Sequence, residues 1–299
     1  MIENLRKIKS MKLNYDLGKK TWFGTGGKST LFFIADSVDI LKMIIKVTKR
    51  IIPILIIGSG SNILVRDGGF KGIAIKLGKN FKQIELDKNK STVSVGSGVK
   101  DSEFSKFCLQ EGICGFEFLS GIPGTIGGNL KMNAGCYGGN ISDNLIECKI
   151  LNDDLNIITL SKEAIKFQYR RSSFTSSQVI LNAKFSYKKS NKIIIKKKID
   201  EISRKRKKTQ PIASRTGGST FINPPNKQVW KLIDAINFRG KKVGGAQVSK
   251  VHSNFLINND SASSMDIEIL GEEIRKVIKI KFNINLKWEL VRVGEFKKV

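Results

Sequence analysis

The hydrophobic period changes repeatedly along the chain, and each change predicts an element. Ile54-Leu55-Ile56-Ile57 is an unbroken apolar run of strand length, and Leu31–Ile34, Gly72–Leu77, Thr92–Val95 and Val179–Tyr187 predict further strands. Helical spacing takes over in Val38–Lys49 and in about Asp101–Gln110, where Phe104, Phe107 and Cys108 share one face before Gly112. A third helix spans Ile193–Lys208, with Ile195, Ile199 and Ile202 on one stripe and Pro211 closing it. Ile146–Leu151 and Asn156–Leu160 read as a hairpin around Asn152-Asp153-Asp154, after which Ser161 opens a short helix. In the final third one helix turns Val229, Leu232, Ile233 and Ile236 inward, and another carries Ile267, Leu270, Ile274 and Ile278. Leu286, Trp288 and Leu290 then alternate along a last strand, which sends Glu289 to the opposite face beside Lys287. Strands and helices in this order predict an α+β chain.

One stretch breaks every period. From Gly115 to Gly139 the glycines Gly121, Gly124, Gly127, Gly128, Gly135, Gly138 and Gly139 are interleaved with Phe116, Phe118, Leu119, Ile122, Ile126 and Leu130. The glycines are too dense for a helix or strand core, and the apolar residues too many for a surface loop. The stretch therefore predicts buried, irregular backbone passing close to something large, and buried N–H groups need acceptors. A second small-residue turn, Gly58-Ser59-Gly60-Ser61-Asn62, follows the strand Ile54–Ile57 directly, an arrangement that lets amides and hydroxyls converge on an anion. It is not the dinucleotide fingerprint, because Ile63 stands at the third glycine position; by itself it also fits an ordinary loop. Gly96-Ser97-Gly98 is a third such turn. Gly24-Thr25-Gly26-Gly27-Lys28-Ser29 ends like a P-loop, but Trp22 occupies the first glycine position and Lys19 and Lys20 stand where a strand is needed, which excludes that ATPase motif.

Composition narrows the chemistry. With 299 residues the chain has apolar material for two or three domains. The opening residues lack the apolar core of a secretory signal and Ile51–Ile57 is too short to span a bilayer, so a cytoplasmic protein without membrane insertion is expected. Cys108, Cys114, Cys136 and Cys148 form no CxxC pair and His252 is the single histidine, which argues for reduced thiols and against metal-assisted hydrolysis. The net charge of +27 fits either a nucleic-acid-binding module or an enzyme with an anionic substrate. Lysines spread through the chain together with Ile and Asn, and no RNA-binding or zinc-finger signature accompanies them, which favours the second. Arg170 and Arg171 lie between aromatics in Phe167–Phe174 and offer a bidentate clamp for a carboxylate, or a solvated loop.

Five markers in this order, GSGSN at Gly58–Asn62, SGIPGTIGGNLKMNAG at Ser120–Gly135, YR at Tyr169-Arg170, GGSTFINP at Gly217–Pro224 and WELVRVG at Trp288–Gly294, resemble the UDP-N-acetylenolpyruvoylglucosamine reductases of bacterial cell-wall synthesis. The resemblance runs from about Thr21 to Gly294. It implies an α+β, FAD-binding fold of the vanillyl-alcohol-oxidase type in two subdomains, 1–77 and 78–205, and a C-terminal α+β substrate domain, 206–299. It implies noncovalent FAD held by Gly58, Ser59, Gly60, Ser61 and Asn62 and by Gly121, Ile122, Pro123, Gly124, Thr125, Gly127 and Gly128. The implied reaction reduces an enolpyruvyl ether to a lactyl ether with NADPH, on a UDP-sugar. Ser219 would donate a proton, Arg170 would hold the substrate carboxylate, Glu289 would assist, and Tyr169, Asn223 and Gln247 would contact substrate. The chain resembles the shorter subtype, without an inserted tyrosine loop, which leaves Gln247, His252, Asn254 and the basic residues Lys205–Arg215 as candidates for the diphosphate of the substrate. No obligate protein partner is implied. An oxygen-using oxidase on the same fold, and a non-catalytic nucleic-acid module, are the alternatives.

Overall fold

A computed structural model describes residues 11–48 and 51–297. The N-terminal segment read above for a secretory signal lies outside these residues up to Ser10, as does Lys49, the predicted end of the first helix. The chain forms two compact units. One contains Met11, Phe32–Ser59 and Ala74–Arg206; the other contains Lys12–Leu31, Gly60–Ile73 and Lys207 onward. Strands β1 (Lys12–Tyr15), β2 (Ser29–Ala35), β3 (Ile54–Ile57) and β5 (Phe70–Leu77) form a sheet in the order β1-β2-β5-β3, and the short β4 (Ile63–Val65) lies outside it. Helix α1 (Val38–Thr48) follows β2 and buries Leu41, Ile44 and Ile45, the apolar stripe its spacing predicted.

The first unit is built on an antiparallel sheet of β6 (Ile84–Asp87), β7 (Thr92–Gly96), β8 (Leu145–Leu151), β9 (Ile157–Ser161) and β10 (Val179–Ser186), in the order β9-β8-β10-β7-β6. The predicted hairpin is β8–β9, in register from Glu147–Ser161 to Leu151–Ile157. Helix α2 (Asp101–Glu111) ends at Gly112 in the left-handed region, as its glycine stop predicted. It seats Phe104 against Phe116 and Phe185, with ring centroids 4.9 and 6.0 Å away, in a core that runs on through Val93, Leu119 and Ile150. The long helix α4 (Lys192–Thr209) buries Ile195 and Ile202, with Ile199 half-buried between them.

Two expectations fail here. The glycine stretch is not wholly irregular: Ile126–Met132 forms a helix, α3. Thr125 caps it by accepting from Gly128 N–H, and Ile126 and Leu130 anchor it in the core, so capping and burial outweigh the glycine penalty over seven residues. Ser161, conversely, opens no helix. It is the last residue of β9, and Lys162–Ile165 make a single turn that tucks Ile165 into the core.

In the second unit β11 (Arg215–Ser219), β13 (Lys242–Val243), β14 (Ala246–Val248) and β15 (Phe255–Asn258) form an antiparallel sheet in the order β11-β15-β14-β13. Helices α5 (Val229–Ala235) and α6 (Ser264–Phe282) cover it, contributing Val229, Ile233, Ile267, Leu270, Ile274 and Ile278 to the core. Strand β12 (Phe221–Ile222) pairs with β16 (Lys287–Trp288), and β17 (Val291–Val293) runs parallel to β4. The predicted last strand is therefore split, and only Lys287–Trp288 keeps its pairing on that side. Leu286 and Leu290 are buried as the alternation required, and Glu289 is half-buried between the two strand segments.

Candidate functional site

In the first unit the glycine motifs that sequence reading kept apart meet. Ser59 Oγ donates to the Gly124 carbonyl at 3.1 Å, and a Cβ on Gly58 would stand 2.5 Å from Thr125 Oγ1. Behind them lies the third turn: Ile126 N–H donates to the Val99 carbonyl and Gly127 N–H to the Ser97 carbonyl at 2.9 Å, while a Cβ on Gly127 would approach the Ser97 Cβ to 2.8 Å. Three stretches of backbone are thus layered closely enough that glycine is required at each crossing. Gly121 belongs to the same pattern, its Cα lying beneath the Tyr137 ring. Ile122, Pro123 and Gly124 are half-buried.

Under this surface sits a carboxyl group that sequence reading did not place in the site. Asp101, the first residue of α2, is fully buried; its Oδ1 accepts from Asn129 Nδ2 at 2.7 Å, and its Oδ2 and the Ser97 Oγ have no hydrogen-bond partner. A Cβ on Gly124 would stand 2.6 Å from that Oδ2. Burial lifts the carboxyl from its ordinary 3.8 to about 8, with the Asn129 hydrogen bond pulling the other way. Burial thus favours the neutral acid. These residues fit a nucleotide cofactor: the surface is made of amides and hydroxyls, and burial disfavours on the carboxyl beneath it the charge that would repel a diphosphate.

Arg170 lies in the same unit. Gln168 and Arg171 exchange two backbone hydrogen bonds, at 2.8 and 3.1 Å, closing a two-residue turn over Tyr169 and Arg170. Arg170 adopts φ +59°, a left-handed conformation unfavourable for a long side chain. The surroundings hold it there. Asn133 Nδ2 donates to the Gln168 carbonyl at 3.0 Å, Ser172 Oγ to the Lys131 carbonyl at 2.6 Å, and Lys131 Nζ to the carbonyls of Phe174 and Thr175. The arginine turn is thus tied to the C-terminal end of α3. Burial pushes the Cys136 thiol up to about 12, and Arg170 and Arg206 act against that rise, which places both guanidinium charges in its electrostatic neighbourhood. Tyr169 is exposed, with the Arg170 guanidinium 4.9 Å from its ring centroid.

The second unit gathers Ser219, Glu289 and Asn62. Gly217 packs under the Phe23 ring and Leu290, where no larger residue fits, and Gly218 takes φ +85° in a bulge that shifts the β11–β15 register just before Ser219. Glu289 N–H donates to the Thr220 carbonyl at 2.9 Å, so the backbone of Glu289 is tied to the residue that follows Ser219. Asn62 Nδ2 donates to the Glu289 carbonyl at 3.1 Å, and Val291 N–H returns a bond to the Asn62 carbonyl. Asn254, buried, braces the junction: its Oδ1 accepts from Phe221 N–H at 3.1 Å and its Nδ2 donates to the Phe221 carbonyl at 2.9 Å, imitating a missing strand. Gly58 and Ser59 belong to the first unit and Gly60, Ser61 and Asn62 to the second, so the GSGSN motif contributes to both.

Two predicted substrate contacts have structural duties. Asn223 Oδ1 accepts from Val229 N–H at the start of α5, and Gln247, buried in β14, donates from Nε2 to the Gly240 carbonyl at 3.0 Å. His252 packs its ring 4.9 Å from that of Phe255, accepts from Asn254 N–H, and has its pKa lowered by burial. Ser97, Asp101, Asn129 and Thr220 were missed as contributors. The Gly96-Ser97-Gly98 turn was the available signal for the first; nothing in the sequence marks Asp101 as buried.

Comparison with known proteins agrees with this geometry. Residues 30–161 match an FAD-binding domain family, and residues 210–293 match the family described as UDP-N-acetylenolpyruvoylglucosamine reductase, C-terminal domain. Curated relatives named UDP-N-acetylenolpyruvoylglucosamine reductase are 41% identical over 283 residues in Rickettsia massiliae, covering 95% of both chains, and 42% identical over 287 residues in Rickettsia felis, covering 95% and 96%. A crystal structure of UDP-N-acetylenolpyruvylglucosamine reductase from Thermus caldophilus superposes with a TM-score of 0.82 at 28% identity, covering 95% of this chain and 98% of the other. The class is therefore an FAD-containing oxidoreductase of α+β fold. Within that class, the chain belongs to the UDP-N-acetylenolpyruvoylglucosamine reductase family. Among the described residues no helix is long and apolar enough to cross a membrane.

Proposed function

We propose that the protein reduces UDP-N-acetylglucosamine enolpyruvate to UDP-N-acetylmuramate with NADPH, in the cytoplasm, as a step of peptidoglycan precursor synthesis. Noncovalent FAD, when bound, supplies the hydride relay between NADPH and the enolpyruvyl C3. Gly58–Asn62, Gly121–Thr125, Gly127 and Gly128 would hold it. Hydride arrival at C3 leaves carbanion character at C2, delocalised onto the adjacent carboxylate, so the protein must stabilise that charge and then protonate the carbon. Arg170 pairs with the carboxylate, Ser219 Oγ gives its proton to C2, and Glu289 assists at the developing carboxylate. A serine hydroxyl is a weak acid in water; beside a strongly basic carbon the driving force reverses. Tyr169, Asn223 and Gln247 contribute substrate contacts. A division into 1–77, 78–205 and 206–299 assigns cofactor binding to the first two segments and substrate binding to the third.

The observation that carries this reading is the bond from Glu289 N–H to the Thr220 carbonyl, 2.9 Å, which ties the proposed helper to the residue that follows the proposed donor. Stopped-flow measurement of the two half-reactions tests it. Ser219→Ala should reduce its flavin with NADPH at the wild-type rate and transfer hydride to the enolpyruvyl substrate about 10²- to 10⁴-fold more slowly, the usual range for loss of a general acid. Equal slowing of both halves would remove Ser219 from the donor role.

A further inference from the structure

Helix α4 begins on a surface that the reductase chemistry does not use. Asn191 starts it, its Oδ1 accepting from Ile193 N–H at 2.8 Å, and the first turn then carries three consecutive isoleucines. At 100° per residue only one of them can face the core. Ile195 does, at 1% exposure, which leaves Ile193 at 76% and Ile194 at 52%. Among the described residues this is the only place where two consecutive large apolar side chains are exposed. Lys188, Lys189, Lys192, Lys196, Lys197 and Lys198 surround the pair in sequence, and Lys188–Lys189 form a short strand paired with Ile113–Cys114 that fixes them to the body of the unit. Acidic partners engage Lys196, through Asp200, and Lys198, through Glu117; among the described residues Lys188, Lys192 and Lys197 have none.

We propose that this turn docks the protein peripherally on an anionic lipid bilayer, with Ile193 and Ile194 entering the headgroup–acyl boundary and Lys188, Lys192 and Lys197 over the lipid phosphates. The pattern is that of an interfacial helix end: apolar side chains to insert, and ammonium groups on stems long enough to remain at headgroup level. The net charge of +27 brings the whole molecule toward any polyanion, but the exposed isoleucines distinguish lipid from nucleic acid, which offers them nothing to enter. Each lysine near an anionic surface is worth roughly fivefold in partitioning, and one short turn gives reversible attachment only.

Flotation of the FAD-loaded protein with vesicles tests the docking. Binding is expected to vesicles containing about one third phosphatidylglycerol, to be lost on pure phosphatidylcholine, and to weaken at high salt. Ile193→Ser with Ile194→Ser, which keeps every charge, and Lys192→Gln with Lys197→Gln, which keeps both isoleucines, should each lower partitioning by about tenfold or more. Flavin absorbance and the melting temperature confirm that each variant is folded. Unchanged binding of the double serine variant would overturn the proposal, leaving charge adsorption alone. So would tighter binding to a duplex oligonucleotide that the lysine variant loses and the serine variant keeps.

Discussion

The two units present their candidate functional residues in different materials. In the first unit Gly58, Gly124 and Gly127 lie so close to Thr125, Asp101, Asn129 and Ser97 that no side chain fits at the glycines themselves. In the second, Ser219 and Glu289 are side chains presented by a strand junction, and what surrounds them is bulky, with Phe221 and Trp288 rings 4.9 Å apart and Phe23 over Gly217. The difference teaches where each unit is vulnerable. A backbone surface fails when anything is added, and a strand junction fails when a brace is removed.

The largest effect is expected from adding bulk to the first unit. Gly124→Val places branched carbon against the Asp101 carboxyl, where a Cβ alone would already be 2.6 Å from Oδ2, and against Asn129. Overpacking of this kind costs about 1–3 kcal/mol, and the segment that must yield is the proposed cofactor surface itself. FAD affinity, measured by fluorescence quenching on titrating the apoprotein, should fall by about 5- to 150-fold, whereas Ser219→Ala should leave it unchanged. If both variants lost FAD equally, the contrast between the units would be wrong.

Removing a brace from the second unit comes next. Asn254→Ala deletes both hydrogen bonds to Phe221 and leaves a buried N–H and C=O unpaired, which costs about 2–3 kcal/mol. Urea unfolding should show that loss. The oxidative half-reaction should slow as well, because Thr220, which carries the bond to Glu289, also donates its N–H to the Asn254 carbonyl at 2.7 Å. Flavin reduction by NADPH should stay near wild type. A stability loss without any change in the oxidative step would show that the strand junction does not position the chemistry.

The same contrast explains what could be read from the sequence. Backbone surfaces announce themselves, because glycine has few other uses at that density: Gly58–Asn62 and Gly121–Gly128 stood out before any fold was known. The amphipathic helices and the β8–β9 hairpin were equally visible through their periods. Side-chain sites do not announce themselves. Ser219 after two glycines reads as turn chemistry and Glu289 as a solvated strand residue, and only the order of motifs raised them. Burial of a polar residue is least visible of all. Asp101 reads as an ordinary acidic residue in the first turn of a helix, and Asn254, singled out as a candidate for the substrate diphosphate, carries no sign of being buried; long-range packing decides both. The helix α3 was missed for the same reason, since the burial of Ile126 and Leu130 that helps outweigh its glycines is decided by long-range packing.

Asp101 gives the sharpest test, because it probes the first unit without adding bulk. Its carboxyl titrates near 8 in the folded protein and near 3.8 when exposed, so between these values the folded state holds a proton that the unfolded state has released. Its contribution to stability is accordingly full below about pH 4, declines as pH rises toward 8, and is constant above that, with a slope of at most about 1.4 kcal/mol per pH unit. Asp101→Asn keeps the shape and cannot titrate. Urea unfolding of wild type and variant between pH 5 and pH 9 should therefore show the variant gaining relative to wild type up to about pH 8 and running parallel beyond it. Other titrating groups cancel in the difference between the two proteins. Parallel curves throughout would mean that the acid is ionised in the folded state at neutral pH, and a charge would then lie beneath the surface assigned to the cofactor diphosphate.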